Sequence, residues 1–288
     1  MKKRITFVSA LNAALLFILG LIMLYPFWYV ISYSLSTYQD VVKVDFLWHP
    51  VNFTLDNIRF ILETSDFLGI YRNTLFVVIV GTVLSLLSTL LFSYALSRDV
   101  PGHKWISRFT FFTLIFSGGM VPTFLVVRGT GLLNSLWALI LPRLVDPFNA
   151  FLMRNFFRGI PRELDESAHM DGAGPWRTLM SIILPLALPG IATICLFYAV
   201  GYWNQFFDAV LYTSNRPQWT LQVLLKELLV NSETDAVGGT SSSDQFGAAL
   251  STSVKMASVV VTIVPILLVY PFLQKYFVKG TLVGAIKG

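Results

Sequence analysis

The chain has 288 residues, of which 55% are hydrophobic and only 13% are charged, and its mean hydropathy is +0.67. Soluble domains are roughly 45–50% apolar and about 25% charged, so this composition excludes an ordinary soluble enzyme and a disordered chain. One cysteine, Cys195, excludes a disulfide-stapled scaffold. The net charge of +5 fits either a nucleic-acid-binding protein or a membrane protein whose cationic residues lie on one side of the membrane. The positions of the cationic residues along the chain distinguish these two classes.

Six apolar runs predict an all-α, polytopic membrane protein with one transmembrane domain over residues 1–288. A spanning helix needs about 20 mostly apolar residues to cross a core roughly 30 Å thick. The predicted spans are 9–33, 74–96, 109–127, 135–157, 184–211 and 252–273. Glycines and prolines interrupt the third and fourth runs, and the fourth is the weakest. The first run exceeds 20 residues, which favours a retained span over a cleaved signal peptide, whose apolar region is about 7–15 residues.

The distribution of charge predicts that both termini are cytoplasmic. In that orientation the inner segments hold 13 of the 21 cationic residues but only 5 of the 16 acidic ones. This is the positive-inside pattern, and it explains the basic character without a nucleic-acid partner. Loops 34–73 and 212–251 are then extracellular, whereas loop 158–183 and the tail 274–288 are cytoplasmic.

The inner loop 158–183 has the pattern of two short helices joined by a turn. Three acids, Glu163, Asp165 and Glu166, lie near the positive end of the first helix, and Gly172 stands where a helix commonly ends in a left-handed residue. Pro175 is suited to opening the second helix. There an apolar stripe recurs at helical spacing, and Pro185 then marks the bend into the fifth span. The stripe comprises Trp176, Leu179, Met180 and Ile183.

An amphipathic helix pair between two spans docks on lipid headgroups or on a cytoplasmic partner. A helix on the membrane surface usually has a basic polar face, whereas this pair is acidic, so we favour a partner.

The same loop resembles the EAA loop of ABC-type importer permeases. The resemblance rests on Glu166-Ser167-Ala168, Gly172 after three residues, Ile182 after nine more, and Leu184-Pro185. The run 160–173 is similar to the carbohydrate branch, and within it to the second permease subunit of maltose systems. The stretches 134–142, 151–157 and 203–206 and the ending 280–288 agree. Ser167 departs from the pattern, because the family usually has alanine there.

The resemblance implies a coupling role for the loop. In the family it fits a cleft on a cytoplasmic ATPase and transmits the closure of that ATPase to the spans. Glu166 would then face a cationic group, Ala168 would allow close approach, Gly172 would make the turn, and Asp171 would cap it. The alternatives are a solvated surface acid for Glu166 and a purely loop-shaping role for Asp171 and Gly172. The implied coupling residues are Glu163, Glu166, Ser167, Ala168, Asp171, Gly172, Ala173 and Pro185.

We therefore expect a permease subunit of an ATP-driven importer for a sugar or oligosaccharide, in a bacterial cell membrane. The expected partners are a second permease subunit, a dimer of ATP-binding subunits and an extracellular solute-binding protein. The sequence contains no phosphate loop of the form G-x-x-x-x-G-K-[ST]. His49, His103 and His169 are scattered, and no nucleophile–base arrangement stands out. The chain is therefore expected to be a translocation subunit without enzymatic activity, metal or cofactor.

A mixed aromatic and amide cluster in the fifth span is the candidate substrate path. It comprises Tyr202, Trp203, Asn204 and Gln205. Aromatic faces stack on sugar rings and amides bond hydroxyls, but an interfacial aromatic belt explains the same residues. In the fourth span, Arg143 and Asp146 are expected to neutralise each other at i, i+3.

The sequence is also compatible with two other functions. One is an importer of a non-sugar solute. The other is a stand-alone secondary transporter, which should show inverted repeats and a midplane ion site. No internal repeat is visible in the sequence.

Overall fold

The computed structural model describes residues 7–41, 43, 47–63, 67–98, 100–228 and 252–268. The predictions for part of the extracellular loop 212–251 (229–251), for the end of the sixth span (269–273) and for the tail 274–288 lie outside these residues. The described residues are mainly helical, and a single β-bridge joins Ser36 to Phe53 among them. The all-α class is confirmed.

The described residues form fifteen α-helices. Their bounds are α1 (Phe7–Ser34), α2 (Tyr38–Val41), α3 (Asp56–Glu63), α4 (Phe67–Ser97), α5 (His103–Ile115), α6 (Met120–Gly129), α7 (Trp137–Ile140), α8 (Pro147–Arg158), α9 (Glu163–Met170), α10 (Pro175–Thr178), α11 (Leu184–Leu186), α12 (Leu188–Trp203), α13 (Phe207–Tyr212), α14 (221–228) and α15 (Thr252–Leu268). A 3₁₀ turn (Leu141–Arg143) follows α7, and a π-helical segment (Leu179–Ile183) follows α10.

Two helices, α1 and α4, are each long and apolar enough to cross a membrane. Helix α4 has 31 residues and begins at Phe67, seven residues before the predicted second span. Helix α15 is apolar over its 17 described residues. The six-span count and the orientation of the termini remain predictions.

The predicted third span is a bent helix pair, and a second bent pair overlaps the start of the predicted fifth span, which continues past that pair into α13. Helices α5 and α6 meet at 117°, across a break that contains Gly119 at φ 85°. A second bend, of 83°, separates Pro175–Leu186 from Leu188–Trp203. It lies at Ala187, two residues beyond the predicted position at Pro185. If each bent pair is one span, up to four helices or helix pairs in the described chain can cross a membrane.

The predicted fourth span, 135–157, is not a continuous helix. Helix α7 has four residues, the 3₁₀ turn three, and α8 twelve. At 1.5 Å per residue α8 is about 18 Å long, shorter than a bilayer core of roughly 30 Å. Pro142 and Pro147 each lack the N–H that a continuous helix would use, which explains the break between α7 and α8.

The chain divides into two compact units, and the first comprises Met1–Phe67 and Leu225–Pro265. In it the side chain of Asn57 donates from Nδ2 to the carbonyls of Ser34 and Ser36, both at 3.0 Å, and so holds α3 against the end of α1. Hydrogen bonds from Asn52 and Lys43 lower the pKa of the Asp40 carboxyl below its usual value.

The second unit comprises Leu68–Leu224 and Ile266–Gly288, and its described residues contain the main apolar core. Leu139, Met153, Ile183 and Ile194 are fully buried and bring α7, α8, the π-helical segment and α12 into one cluster. Helix α12 approaches α8 closely because Gly190 has no side chain: a Cβ there would lie 2.6 Å from Cγ of Phe156.

We expect Gly190→Ala to destabilise the protein by about 1–3 kcal/mol, the usual cost of overpacking. The added methyl must displace the Phe156 ring or separate α8 from α12. The measurement is the thermal midpoint of the detergent-purified protein.

Gly69→Ala is the matched control. Gly69 also lies within a helix, but a Cβ there would meet nothing within 4 Å. Alanine in a helix interior is favoured over glycine by roughly 0.5–1 kcal/mol, so this variant should be neutral or stabilising. Equal behaviour of the two variants would contradict the packing argument.

Candidate functional site

The helix pair predicted for the inner loop is present as α9 and α10. Three acids occupy the first turn of α9, where they favour the positive end of the helix dipole. The turn after α9 is closed by backbone bonds, from Ala173 N to Ala168 O at 2.9 Å and from Gly172 N to His169 O at 3.0 Å. This is the Schellman pattern, which requires a left-handed residue. Gly172 supplies it at φ 75°, as predicted.

The predicted coupling residues do not share one environment. Glu163, Glu166, Ser167, Asp171 and Gly172 are exposed, and Ala173 is half-buried. Ala168, by contrast, is only 4% exposed, so its methyl already packs within this chain. Pro185 lies in α11, at the entry to the fifth span.

The predicted apolar stripe of the second helix divides between two faces. Leu179 and Ile183 are buried in the core, whereas Trp176 (62%) and Met180 remain exposed. The two exposed residues are four apart, as are the two buried ones, so each pair follows one side of the helix. Because the segment from Leu179 is π-helical, its turn is wider than the α-helical turn assumed for the single stripe.

A bidentate ion pair that the sequence reasoning missed ties α9 to α4. Arg98 donates from Nη2 to Asp165 Oδ1 at 3.0 Å, and its Nη1 lies 2.5 Å from Asp165 Oδ2. Both side chains are partly buried, and the guanidinium also lies 5.0 Å from the centre of the Tyr94 ring. Such paired geometry fixes orientation as well as position. We call this contact the Arg98–Asp165 clamp.

A stripe of small residues on α4 faces the break between α7 and α8. Ser85, Thr89 and Ser93 follow one another at i, i+4, i+8 and are fully buried. Thr89 Oγ1 lies 2.6 Å from the hydroxyl of Tyr198, and Ser93 donates to the carbonyl of Ala150 at 2.9 Å. Small and hydroxyl residues allow helices in membranes to approach closely and to bond across the interface. Their four-residue spacing is the signal from which the stripe could have been predicted.

Helix α12 and Gln205, two residues beyond its end, pair backbone groups that the break leaves open. The amide N of Asp146 donates to the hydroxyl of Tyr198 at 2.9 Å. Tyr202 reaches the carbonyl of Ile140 at 3.4 Å and the hydroxyl of Ser85 at 2.8 Å, and Gln205 Nε2 donates to the carbonyl of Leu139 at 3.2 Å. We call this set of bonds between α4, the break and α12 the polar seam.

The predicted aromatic and amide cluster is therefore not one surface. Tyr202, Trp203 and Gln205 are buried, and Tyr202 and Gln205 belong to the polar seam. Asn204 is exposed, and its amide donates to the carbonyl of Val200 within its own helix. A role for these residues in the substrate path remains a prediction.

The expected pair between Arg143 and Asp146 is wrong. Asp146 caps α8 by accepting from the amide N of Asn149 at 2.9 Å. Arg143 turns instead to Asp208, with 3.6 Å between Nη1 and Oδ2. The carboxylate of Asp146 is held in the capping position because Pro147 begins the helix, which leaves Asp208 as the acid nearer to the guanidinium.

Comparison with known proteins shows the family to which the chain belongs. The family model described as "Binding-protein-dependent transport system inner membrane component" matches residues 95–283. The chain belongs to this family. Membership confirms the predicted translocation subunit of an ABC importer, in which ATP hydrolysis is carried out by a separate subunit.

Relatives align with the chain over nearly its whole length. The polygalacturonan/rhamnogalacturonan transport system permease protein YtcP of Bacillus subtilis (strain 168) is 43% identical over 95% of this chain and 96% of its own. Protein LplC of the same organism is 42% identical over 93% of this chain and 91% of its own. A chain in the crystal structure of a bacterial ABC transporter that imports the acidic polysaccharide alginate has 32% identity and a TM-score of 0.85, covering 96% and 99% of the two chains.

We expect Tyr198→Phe to cost about 1–2 kcal/mol of stability, because it leaves the amide of Asp146 and the hydroxyl of Thr89 without this partner. A double-mutant cycle with Thr89→Val checks the assignment, with stability measured by thermal inactivation in detergent. The double variant should lose less than the sum of the two single losses. Additive losses would contradict the Thr89–Tyr198 bond.

Breaking the Arg98–Asp165 clamp is expected to reduce transport per ATP hydrolysed. A partly exposed ion pair contributes up to about 1 kcal/mol, which corresponds to about fivefold in a coupled equilibrium. Asp165→Asn should produce this loss, and the exchange Arg98→Asp with Asp165→Arg should recover part of it. The measurement is uptake and ATPase rate of the reconstituted importer.

Glu63→Gln is the control for that experiment. It removes an ion pair to Arg59 on α3, in which both side chains are mostly exposed. It should leave the ratio of uptake to hydrolysis unchanged. Failure of the charge exchange to recover any activity, with normal protein levels, would count against the clamp.

Proposed function

We propose that this chain is one permease half of a bacterial ATP-driven importer for an oligosaccharide or a polysaccharide fragment. The support is the family match together with relatives named for polygalacturonan, diacetylchitobiose and arabino-oligosaccharide transport. The partners are a second permease chain, two ATP-binding subunits and an extracellular solute-binding protein. The chain would cross the inner membrane six times, with both termini in the cytoplasm.

The proposed coupling role rests on the exposed, acidic surface of α9. Glu163, Glu166 and Ser167 are open to a partner, and Met170, at 87% exposed, and Trp176 add an apolar contact area. Acidic side chains beside exposed apolar ones suit a cationic protein cleft. The anionic cytoplasmic leaflet would repel the same acids, which disfavours docking on lipid.

In this mechanism the ATP-binding subunits grip α9 when ATP closes them. Glu166 meets a cationic group on that partner, and Gly172 holds the turn that sets the angle between α9 and α10. The Arg98–Asp165 clamp passes the movement of α9 to α4. The polar seam then carries it to the break and to α12, where it changes access across the membrane.

The first test is uptake by the complete importer in proteoliposomes. The probes form a panel of oligogalacturonides, arabino-oligosaccharides and diacetylchitobiose. We expect uptake of at least one panel saccharide, and we expect that uptake to require both the binding protein and ATP. Uptake by this chain alone, or uptake that is independent of ATP, would refute the proposal in favour of a secondary transporter.

The second test separates coupling from backbone strain. We expect Gly172→Asp and Glu166→Lys to remain in the membrane but to lose most uptake, because they disturb the docked surface. Gly131→Asp is the matched control: Gly131 has φ 73° against 75° for Gly172, and a Cβ at either position meets nothing within 4 Å.

The left-handed strain is therefore alike at both glycines, about 1–2 kcal/mol for a residue with a side chain. Only the position in α9–α10 distinguishes Gly172. Membrane-fraction abundance, uptake and ATPase rate are the measurements. Full transport by Gly172→Asp and Glu166→Lys, or equal losses in Gly131→Asp and Gly172→Asp, would contradict the docking role.

A further inference from the structure

A cavity of about 380 Å³ lies where the predicted fourth span breaks, against α12. It lies within the second unit and belongs neither to α9 nor to the Arg98–Asp165 clamp. Small-molecule sites are typically clefts of roughly 300–1,000 Å³, so its size is suitable for a ligand. Its walls are Pro142, Arg143, Val145, Asp146, Pro147, Phe148, Asn149, Phe197, Tyr198, Gly201 and Tyr202. We call it the break cavity.

The break cavity has charged residues in its wall although its segment is predicted to cross the membrane, where lipid tails cannot form hydrogen bonds. Arg143 and Asp146 both line it, in a segment predicted to lie between the two surfaces of the membrane. The Arg143 side chain is 47% exposed, and its ion pair with Asp208 is long, at 3.6 Å. Charged groups inside a membrane protein usually face an aqueous or ligand-filled space, because hydrocarbon does not solvate them.

Two aromatic rings form the apolar part of the wall. Phe148 on α8 is 53% exposed and Phe197 on α12 is 40% exposed. Their ring centres are 6.4 Å apart and their planes are inclined by 34°. The C–H faces of a sugar ring pack on such rings, while its hydroxyls bond to guanidinium, carboxylate and amide groups. A lipid chain would use only the aromatic part of this wall.

The polar seam holds the rear of the break cavity in place. The hydroxyls of Tyr198 and Tyr202 are already bonded to Thr89 and Ser85, so these side chains form a fixed wall. Gly201 adds no side chain on the α12 side. Among the charged and aromatic side chains of the wall, those of Arg143, Phe148 and Phe197 are exposed and can meet a ligand.

We propose that the break cavity is a saccharide-contact site in this subunit's part of the translocation path. The proposal rests on the proposed function and deepens it by assigning the contact to Arg143, Phe148 and Phe197. These residues lie outside the cluster predicted from the sequence, with which the cavity shares only Tyr202.

Protection of a single cysteine tests the site. The natural chain has one cysteine, so Cys195→Ser gives a background for Val145→Cys, at a half-exposed position on the cavity wall. The complete importer, with its binding protein, is treated with a charged, membrane-impermeant methanethiosulfonate. Modification of this tagged chain is followed with and without the panel saccharide that the importer takes up fastest.

We expect the saccharide to slow modification of Val145→Cys about tenfold when its concentration is about ten times its dissociation constant at the site. Thr130→Cys, at an exposed position just after α6 and outside the predicted third span, is the control and should react equally with and without saccharide. Phe148→Leu keeps the apolar volume but removes the aromatic face, so it should abolish the protection. Phe148→Trp should retain it.

The outcomes distinguish this proposal from the one on which it rests. If the importer takes up no panel saccharide, the proposed function fails and the site fails with it. If uptake is normal but the saccharide does not protect Val145→Cys, the site alone is overturned. If Val145→Cys reacts in the isolated chain but not in the assembled importer, with or without saccharide, the second permease covers the cavity and the site is likewise overturned.

Discussion

A helix that breaks inside a membrane leaves backbone donors and acceptors that only neighbouring protein can satisfy. The break between α7 and α8, in the predicted fourth span, meets this requirement through Tyr198 and Tyr202 of α12 and through Gln205 just beyond it, which bond to the amide of Asp146 and to the carbonyls of Ile140 and Leu139. The position of α12, the buried hydroxyls of α4 and the cavity beside the break all depend on that pairing. Helix α9 of the inner loop is tied to the end of α4 by the bidentate contact from Arg98 to Asp165.

The features that could be predicted from the sequence are those set by neighbouring residues in the chain. The helix–turn–helix of the inner loop is one, because the left-handed turn at Gly172 and the proline opening of α10 are local requirements. The apolar character of α1 and α4 is another, since it depends on composition alone. The resemblance to importer permeases also came from residues close together in the chain.

The features that sequence reasoning missed depend on residues far apart in the chain. Arg143 has Asp146 three residues away but pairs with Asp208, 65 positions along, because Asp146 is committed to capping α8. Residue type did not show that Trp203 and Gln205 are buried while Asn204 between them is exposed, because burial there depends on which neighbouring elements pack against each side chain. Spacing placed Trp176 and Leu179 on one stripe, but Trp176, in α10, stays exposed, whereas Leu179, where the π-helical segment begins, packs into the core.

The stripe on α4 also limits how this protein can move. Ser85, Thr89 and Ser93 each have a short side chain and a different partner on the opposite side. A twist or slide of α4 would therefore break three bonds at once, because these hydroxyls are fully buried and water cannot replace their partners. We infer that α4, α8 and α12 travel as one block. The joints of the transport cycle are then the sharp corners at Gly119 and Ala187, where the chain already changes direction by 117° and 83°.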